Sequence, residues 1–303
     1  MTHTSAFKTP EGEAAFLAAY DAAMKLWPVP YEEIEISTRF GMTHVVASGP
    51  EEAPPLVLLH GYFTTLTMWS PNVADFSREY RVYAIDVLGQ PGKSIPNPDE
   101  PIRDTADFIA WLSATLDGLN LDLIFLVGMS YGGWLALNLA LTAPERVQKA
   151  ALLSPAASFQ PLVKQFMLRA MLMGFFPRRL TVNSTMGWMG IKDTPDGPAA
   201  RCVLDLVYLG MKHFRLPPET MRIMPNVFSD DELQALRVPV LLLIGENEVI
   251  YDAAKALARA RALLPNFEGE LMPRCKHDMC FSQHRIVDAR VLDFLKEAES
   301  HGG

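Results

Sequence analysis

The feature that most constrains the fold is an apolar run of strand length that ends in a turn of glycine and serine. Residues 123–127 read Leu-Ile-Phe-Leu-Val, and residues 128–132 read Gly-Met-Ser-Tyr-Gly. The run is typical of a buried parallel strand, and small and apolar residues in a helical pattern follow the turn. In so tight a strand-to-helix turn, Ser130 takes a strained backbone conformation, and the two glycines leave space that side chains would otherwise fill. The pattern therefore predicts a Ser130 hydroxyl that projects above the sheet as a candidate nucleophile.

The same turn puts Ser130 at the start of a helix, next to the free N–H of Tyr131. This N–H and the positive end of the helix dipole are suited to stabilise an oxyanion that develops on a substrate. Tyr131 is thus a candidate oxyanion donor. A glycine-rich turn without chemistry is the alternative interpretation of the motif.

Strand and helix patterns alternate on both sides of this turn. We predict strands over residues 31–38, 42–48, 56–59, 81–85, 149–153, 238–244 and 269–272. We predict helices over residues 14–26, 68–80, 106–119, 131–141, 252–264 and 286–299. Strands 31–38 and 42–48 are expected to form a hairpin near Gly41, and the rest indicate a mostly parallel sheet with helices on both faces. The predicted fold class is therefore α/β.

The alternation stops between Ser154 and Asp230, where methionine and aromatic residues are frequent. They are Phe159, Phe166, Met167, Met171, Met173, Phe175, Phe176, Met186, Trp188, Met189, Met211, Phe214, Met221 and Met224. We predict that residues 154–230 form a helical cap inserted into a core of residues 1–153 and 231–303. Most of these side chains are expected to pack the cap on the core, and methionines adapt well to an apolar pocket.

Composition and charge exclude several classes of function. The net charge of -8 and the pI near 5.4 argue against a nucleic-acid or anionic-membrane partner and leave small-molecule ligands open. The three cysteines show no disulfide or zinc spacing, and residues 1–13 lack the pattern of a secretion signal, so we expect a cytoplasmic protein without metal or organic cofactor. Gly92-Lys93-Ser94 does not end a phosphate loop, because Val87 stands where that loop needs glycine. The oligomeric state is left open.

A serine nucleophile needs a histidine that takes its proton and an acid that orients the histidine. In hydrolases with such a turn these partners follow the serine in the order acid, histidine. Of the seven histidines, His277, His284 and His301 come after the strand 238–244. His277 is favoured because it lies in the loop directly after the last predicted strand.

The acid is expected in the loop after strand 238–244, where Glu246, Glu248 and Asp252 compete. Glu246 is closest to the strand end and is expected to be a solvated charge. Asp252 already belongs to the next helix. Glu248 lies in the middle of the loop, where the chain can turn its carboxylate inward, but spacing alone does not decide between catalysis and solvation.

Taken together, the chain resembles serine α/β-hydrolases over nearly its whole length. Four segments resemble bacterial carboxylesterases of the naproxen-esterase type, namely residues 26–29 (LWPV), 37–41 (STRFG), 47–50 (ASGP) and 245–251 (GENEVIY). The resemblance implies that Ser130 is the nucleophile, Glu248 the acid and His277 the base, with the backbone N–H groups of Tyr62 and Tyr131 as oxyanion donors. The chain departs from the wider pattern in its glutamate acid and in Lys276, which replaces the usual glycine before the histidine.

These features predict a serine ester hydrolase that acts on an ester or lactone with a bulky hydrophobic part. The resemblance extends to esterases that open macrolide lactones, so a macrocyclic substrate is an alternative. Carbon-carbon hydrolase, acyltransferase and peptidase activities remain alternatives on the same fold. A receptor without catalysis is the alternative outside enzymes, and it is disfavoured because all three candidate triad residues are present.

Overall fold

The computed structural model of the chain describes residues 6–192, 197–216, 219–220 and 223–296. Its strands are β1 (Tyr31–Thr38), β2 (Gly41–Ser48), β3 (Pro55–Leu59), β4 (Arg81–Ile85), β5 (Ile95–Pro96), β6 (Ile124–Met129), β7 (Val147–Leu153), β8 (Val240–Gly245) and β9 (Phe267–Met272). Its helices are α1 (Pro10–Met24), α2 (Val73–Phe76), α3 (Thr105–Gly118), α4 (Tyr131–Thr142), α5 (Lys164–Phe175), α6 (Arg179–Trp188), α7 (Pro198–His213), α8 (Asp230–Ala235), α9 (Ala253–Leu263), α10 (Met279–Ser282) and α11 (His284–Lys296).

The strands form one sheet in the order β1-β2-β4-β3-β6-β7-β8-β9, and β5 pairs with β2 at one side. The predicted hairpin is confirmed, because β1 and β2 pair antiparallel with Thr38 opposite Gly41. From β4 onward along this order the pairings are parallel. The carboxyl ends of β6, β7, β8 and β9 therefore lie at one edge of the sheet, where ligands bind in open α/β sheets.

Two hydrophobic cores cover the two faces of this sheet. Along β3, Leu56 and Leu58 belong to one core, whereas Val57 and Leu59 belong to the other. Successive side chains of a strand point to opposite faces, so an uninterrupted apolar run is what a strand buried on both faces requires. This arrangement confirms the predicted α/β fold with helices on both sides of the sheet.

The predicted helix over residues 68–80 is wrong. This segment forms a 3-10 turn over Leu66–Trp69 and then the short helix α2. Pro71 lies between the two elements, and a proline inside a helix removes a backbone donor and clashes with the preceding turn.

Helices α5 to α7 lie within residues 154–230, where the sequence predicts the cap, and α8 begins at Asp230, the last residue of that segment. Of the methionine and aromatic side chains named above, Phe159, Met173, Met186 and Phe214 are buried, and Phe166, Trp188, Met189 and Met211 pack on the cores while partly exposed. The prediction that most of them pack is confirmed for the described residues. Met167, Met171, Phe175, Phe176 and Met224 are instead exposed, and Met221 lies outside the described residues.

Candidate active site

Ser130 sits in a strained turn between β6 and α4, as the sequence predicts. Its φ of 53° and ψ of -111° lie in a region that residues other than glycine rarely adopt. A β-carbon on Gly128 would come within 2.3 Å of the Gly132 carbonyl oxygen, and one on Gly132 within 2.2 Å of the Leu59 carbonyl oxygen. Only glycine permits this approach, so the two glycines hold the sharp turn in place.

The turn is fixed by backbone hydrogen bonds on both sides. The Ser130 N–H donates to the Leu153 carbonyl at 2.9 Å, and the Ser130 carbonyl accepts from Ala156 at 2.9 Å and Trp134 at 3.1 Å. Strained conformations persist where the surrounding structure determines them, and they concentrate at functional sites. The serine therefore has a defined position above the carboxyl end of β6.

The loop after β3 lies against this serine. The position of a β-carbon built on Gly61 is 3.7 Å from the Ser130 β-carbon. The rings of Tyr62 and Tyr131 are neighbours with centroids 5.3 Å apart. The structure thus brings together the two residues whose N–H groups the resemblance assigns to oxyanion binding.

Three donors hold the Gly61 carbonyl oxygen. They are the His60 ring Nδ1 at 2.8 Å, the Thr64 hydroxyl at 2.7 Å and the Thr64 N–H at 3.2 Å. The His60 Nε2 accepts from the Val87 N–H at 2.9 Å, so Nδ1 carries the proton of a neutral ring. Burial lowers the pKa of His60, which keeps the ring in this neutral form. In a trans peptide the carbonyl and the next N–H point in opposite directions, so these donors also fix the direction of the Tyr62 N–H.

His277 and Glu248 form a buried pair at the edge of the sheet that carries Ser130. The His277 Nδ1 donates to Glu248 Oε2 at 2.8 Å, and both side chains are almost inaccessible to solvent. His277 Nε2 is buried and makes no hydrogen bond within the part of the chain that the structure describes. The imidazole therefore has one nitrogen held by a carboxylate and the other available to accept a proton.

The loop conformation turns Glu248 inward. Its Oε1 accepts the N–H groups of Val249 at 2.8 Å and Ile250 at 3.1 Å. Burial by itself raises the pKa of Glu248, but the adjacent His277 and the Ile250 N–H outweigh it, so the pKa lies below its usual range. The carboxylate is therefore ionised where it can stabilise a positively charged imidazole.

The other candidates for the acid and the histidine lie away from the Glu248–His277 pair. Glu246 is exposed and accepts the Arg274 N–H at 3.2 Å, and Asp252 caps α9 by accepting the Lys255 N–H at 3.0 Å. His284 begins α11, where its Nδ1 contacts the Phe281 carbonyl at 3.1 Å, and His301 lies outside the described residues. The structure therefore distinguishes Glu248 from Glu246 and Asp252, which the spacing of the residues in the sequence could not do.

The cap contacts the loop of His277 directly, a feature that the sequence analysis missed. The His277 N–H donates to the Met189 carbonyl at 3.1 Å, and Lys276 Nζ donates to the Trp188 carbonyl at 3.2 Å. Gly190 has a φ of 106°, and a β-carbon there would come within 2.5 Å of Asp278 Cγ. The end of α6 is thus hydrogen-bonded to the loop of His277. In the sequence, the only signal of this contact was Lys276, which stands in place of the usual glycine.

The described residues lack two further features. They contain no cluster of three or more His, Cys, Asp or Glu side chains able to hold a metal ion. None of their helices has both the length and the apolar character required to cross a bilayer.

Comparison with known proteins identifies relatives along nearly the whole chain. Residues 54–184 match the family model described as the alpha/beta hydrolase fold. The chain is 40% identical to a protein of Bacillus subtilis named uncharacterized carboxylesterase nap, with 92% of each chain covered. It is 37% identical to carboxylesterase YbfK of the same organism, over 95% of this chain and 96% of the relative.

Solved structures agree with this assignment. The crystal structure of naproxen esterase (carboxylesterase NP) from Bacillus subtilis superposes with a TM-score of 0.87 at 37% identity, covering 95% of this chain and all of the other. At this identity and coverage the similarity extends beyond the fold. The chain belongs to the α/β-hydrolase family, among its carboxylesterase-type enzymes.

Proposed function

We propose that the enzyme is a serine carboxylic-ester hydrolase that works through an acyl-enzyme on Ser130. The observation that carries the proposal is the buried Glu248–His277 pair, with His277 Nε2 unengaged at the same sheet edge as the strained Ser130. A hydroxyl becomes nucleophilic when such a base removes its proton during attack.

In the first half of the reaction, Ser130 Oγ forms a bond to the acyl carbon while its proton moves to His277 Nε2. The carbonyl π electrons move to oxygen, where the N–H groups of Tyr62 and Tyr131 stabilise the negative charge. Glu248 stabilises the imidazolium that forms. As the carbon–oxygen ester bond breaks, His277 returns the proton to the departing alcohol.

In the second half, water attacks the acyl carbon and His277 takes its proton. The tetrahedral intermediate collapses with release of the carboxylic acid, and His277 gives the proton back to Ser130 Oγ. Apart from the ester and water, the proposed scheme uses only side chains and backbone groups of this chain. It also explains why an ionised, inward-facing carboxylate is built into the loop after β8.

The proposed substrate is an ester or lactone with a bulky hydrophobic part. The apolar and methionine-rich cap supports this choice, because thioether side chains adapt to irregular apolar partners. The named relatives support ester hydrolysis as the reaction. Whether the preferred ester is open or a macrocyclic lactone is decided by comparing kcat/KM for aryl and alkyl esters with kcat/KM for macrolide lactones. A preference for acetates of small charged alcohols would contradict this choice of substrate.

A cytoplasmic location is part of the proposal. Cys202, Cys275 and Cys280 are all free thiols, as expected in a reducing compartment. Fractionation of the producing cells, with activity measured in each fraction, tests this location.

Ser130→Ala is the direct test of the mechanism. With a chromogenic aryl ester, the variant should lose at least three powers of ten in kcat and should form no acyl adduct by intact-mass measurement, whereas the wild type gains the acyl mass. Retained turnover above about a hundredth of the wild-type rate would refute the nucleophile.

A further inference from the structure

A row of apolar side chains on the cap faces solvent. Along α5, Met173 is buried, whereas Met167, Leu168, Met171, Leu172 and Phe175 are exposed, and the next segment adds Phe176 and Leu180. We call these seven exposed residues the cap face. Phe175 is 75% exposed and Leu180 is 81% exposed.

The rest of the described surface is different. Its exposed large apolar residues are spread along the chain, and only Met224 and Val227 lie close in sequence; the others are Tyr31, Tyr62, Leu123 and Ile286. Single exposed apolar residues are normal, but a contiguous apolar row marks a site of interaction.

The charge around the cap face is basic. Residues 160–192 contain Lys164, Arg169, Arg178, Arg179 and Lys192, and no Asp or Glu. Arg179 forms an ion pair with Asp205 of α7, so the basic character of this surface comes from the other four. The net charge of -8, which argues against an anionic partner, therefore describes the average of the chain and not this surface. Attraction to a charged surface acts over about 10 Å in physiological salt, so the local charge decides it.

Two of these basic residues oppose the helix dipole. Lys164 is the first residue of α5, Arg178 is the N-cap of α6, and neither helix has an acidic residue in its first turn. Cations at a helix N-terminus are locally unfavourable. Their presence beside exposed apolar residues is explained if they bind an anionic partner.

We propose that the cap face docks on an anionic lipid surface. An interfacial helix inserts its apolar side chains at the boundary of headgroup and acyl chain, and flanking basic residues attract the anionic headgroups. A second copy of the chain fits less well. Two cap faces placed together would bring their basic residues close to each other, and these like charges repel. The exposed apolar residues on the described part of the core are separate from one another, so they give no continuous surface for a head-to-tail contact.

The cap face is anchored beside the catalytic edge of the sheet. The N–H of Val163, which precedes α5, donates to the Ile250 carbonyl in the Glu248 loop at 2.8 Å. The Arg169 guanidinium lies 4.9 Å from the centre of the Trp188 ring, and the Trp188 carbonyl accepts from Lys276. A lipid surface docked here lies next to the loops of Glu248 and His277. Hydrophobic esters dissolve in the lipid, so docking brings a concentrated supply of them close to these loops.

Vesicle co-flotation of the full chain tests the proposal. The probes are vesicles of phosphatidylcholine alone and of phosphatidylcholine mixed with phosphatidylglycerol. We expect the wild type to bind the anionic vesicles only, and we expect this binding to weaken as the salt concentration rises.

Two double variants test which side chains bind the vesicles. Phe175→Ser with Leu180→Ser removes apolar contacts, and Lys164→Glu with Arg178→Glu reverses the charge at two helix N-termini without cost to the helices. Each pair should weaken binding to the anionic vesicles by about tenfold or more. For the charge pair this follows because one basic residue near an anionic surface contributes about fivefold to binding.

The matched controls lie on the core and should bind as the wild type does. Leu123→Ser with Ile286→Ser removes two apolar side chains that are 46% and 48% exposed, the most exposed large apolar residues on the described part of the core. Lys255→Glu with Arg285→Glu reverses two exposed charges in the first turns of α9 and α11, so it changes the net charge by the same amount as the cap pair. Absence of wild-type binding to anionic vesicles, or equal losses in cap and control variants, would overturn the proposal. Light scattering that shows a dimer dispersed by Phe175→Ser with Leu180→Ser would also overturn it, because the cap face would then join two copies.

Discussion

The loops of Glu248 and His277 and the helix α5 lie at the same edge of the sheet but differ in how they are held. His277 and Glu248 are buried, hydrogen-bonded to each other and fixed by backbone N–H groups. Helix α5 buries only Met173 and shows most of its apolar side chains to solvent. This difference supports the two proposals, in which the buried polar contacts carry the chemistry and the exposed side of α5 meets a partner. Substitutions in the core should therefore change kcat or stability, and substitutions in the cap should change what is bound.

The largest effect is expected for the triad acid. Glu248→Gln keeps the size of the side chain but removes the charge that stabilises the imidazolium, so kcat should fall by about 10³ to 10⁴. Glu246→Gln is the matched control and should stay within about twofold of the wild type, as expected for an exposed side chain. Steady-state kinetics with one aryl ester measure both. Equal losses in the two variants would place the acid elsewhere.

His60 tests whether the direction of the Tyr62 N–H is set by the core. His60→Leu removes one donor to the Gly61 carbonyl and the acceptor of the Val87 N–H. We expect kcat to fall by about tenfold to a hundredfold with a small change in KM, which is less than the loss of an oxyanion donor itself. Circular dichroism checks that the fold is retained.

Thr64→Val is the milder companion of His60→Leu. It removes one hydroxyl donor to the same carbonyl and leaves His60 and the Thr64 N–H in place. A loss of kcat smaller than that of His60→Leu is expected. A larger loss in Thr64→Val would show that His60 does not orient the loop.

Lys276 tests the connection between the two regions. Lys276→Met removes the hydrogen bond to the Trp188 carbonyl and keeps a flexible chain of similar length. We expect KM for a bulky ester to rise by about fivefold while kcat for a small aryl ester is nearly unchanged, since the lost hydrogen bond is worth about 1 kcal/mol. Lys276→Arg preserves a donor and should restore the wild-type KM. An equal drop in kcat for both substrates would show instead that Lys276 acts on the histidine itself.

Asp288 tests the stability of the core and should leave activity unchanged. It is fully buried on α11, where Asn72 Nδ2 donates to its Oδ1 at 2.7 Å, and its Oδ2 makes no hydrogen bond with another described residue. Burial raises the pKa of Asp288 to about 8. The folded protein therefore holds a proton between about pH 4 and pH 8 that the unfolded chain releases, so the free energy of unfolding falls as pH rises through this range.

Asp288→Asn removes this ionisation and keeps an acceptor for Asn72. The wild type should lose up to about 1.4 kcal/mol of unfolding free energy per pH unit from this group, with no further loss above about pH 8. The variant should show a flatter decline of Tm between pH 5 and pH 8. An identical pH dependence in the two proteins would mean that Asp288 is ionised when folded.

The sequence by itself determined the elements whose cause is local. Two glycines around Ser130 predicted the sharp turn, and the structure has it with a positive φ at Ser130. Uninterrupted apolar runs predicted strands buried on both faces. Such patterns are sufficient because steric limits and side-chain periodicity act over a few neighbouring residues. Pro71 shows the limit even here, since the predicted helix over residues 68–80 is divided at this proline into a 3-10 turn and the short helix α2.

Only the tertiary structure decided which carboxylate meets His277 and which side of the cap faces solvent. The spacing left Glu246 and Glu248 open, because the choice depends on a loop held by the Ile250 N–H and by strand β9 beside it. The apolar residues of α5 suggested burial, yet only Met173 of this helix is buried, and five of its apolar residues are exposed. Both outcomes depend on contacts between segments far apart in sequence, and a local pattern carries no information about the partner that a side chain finally meets.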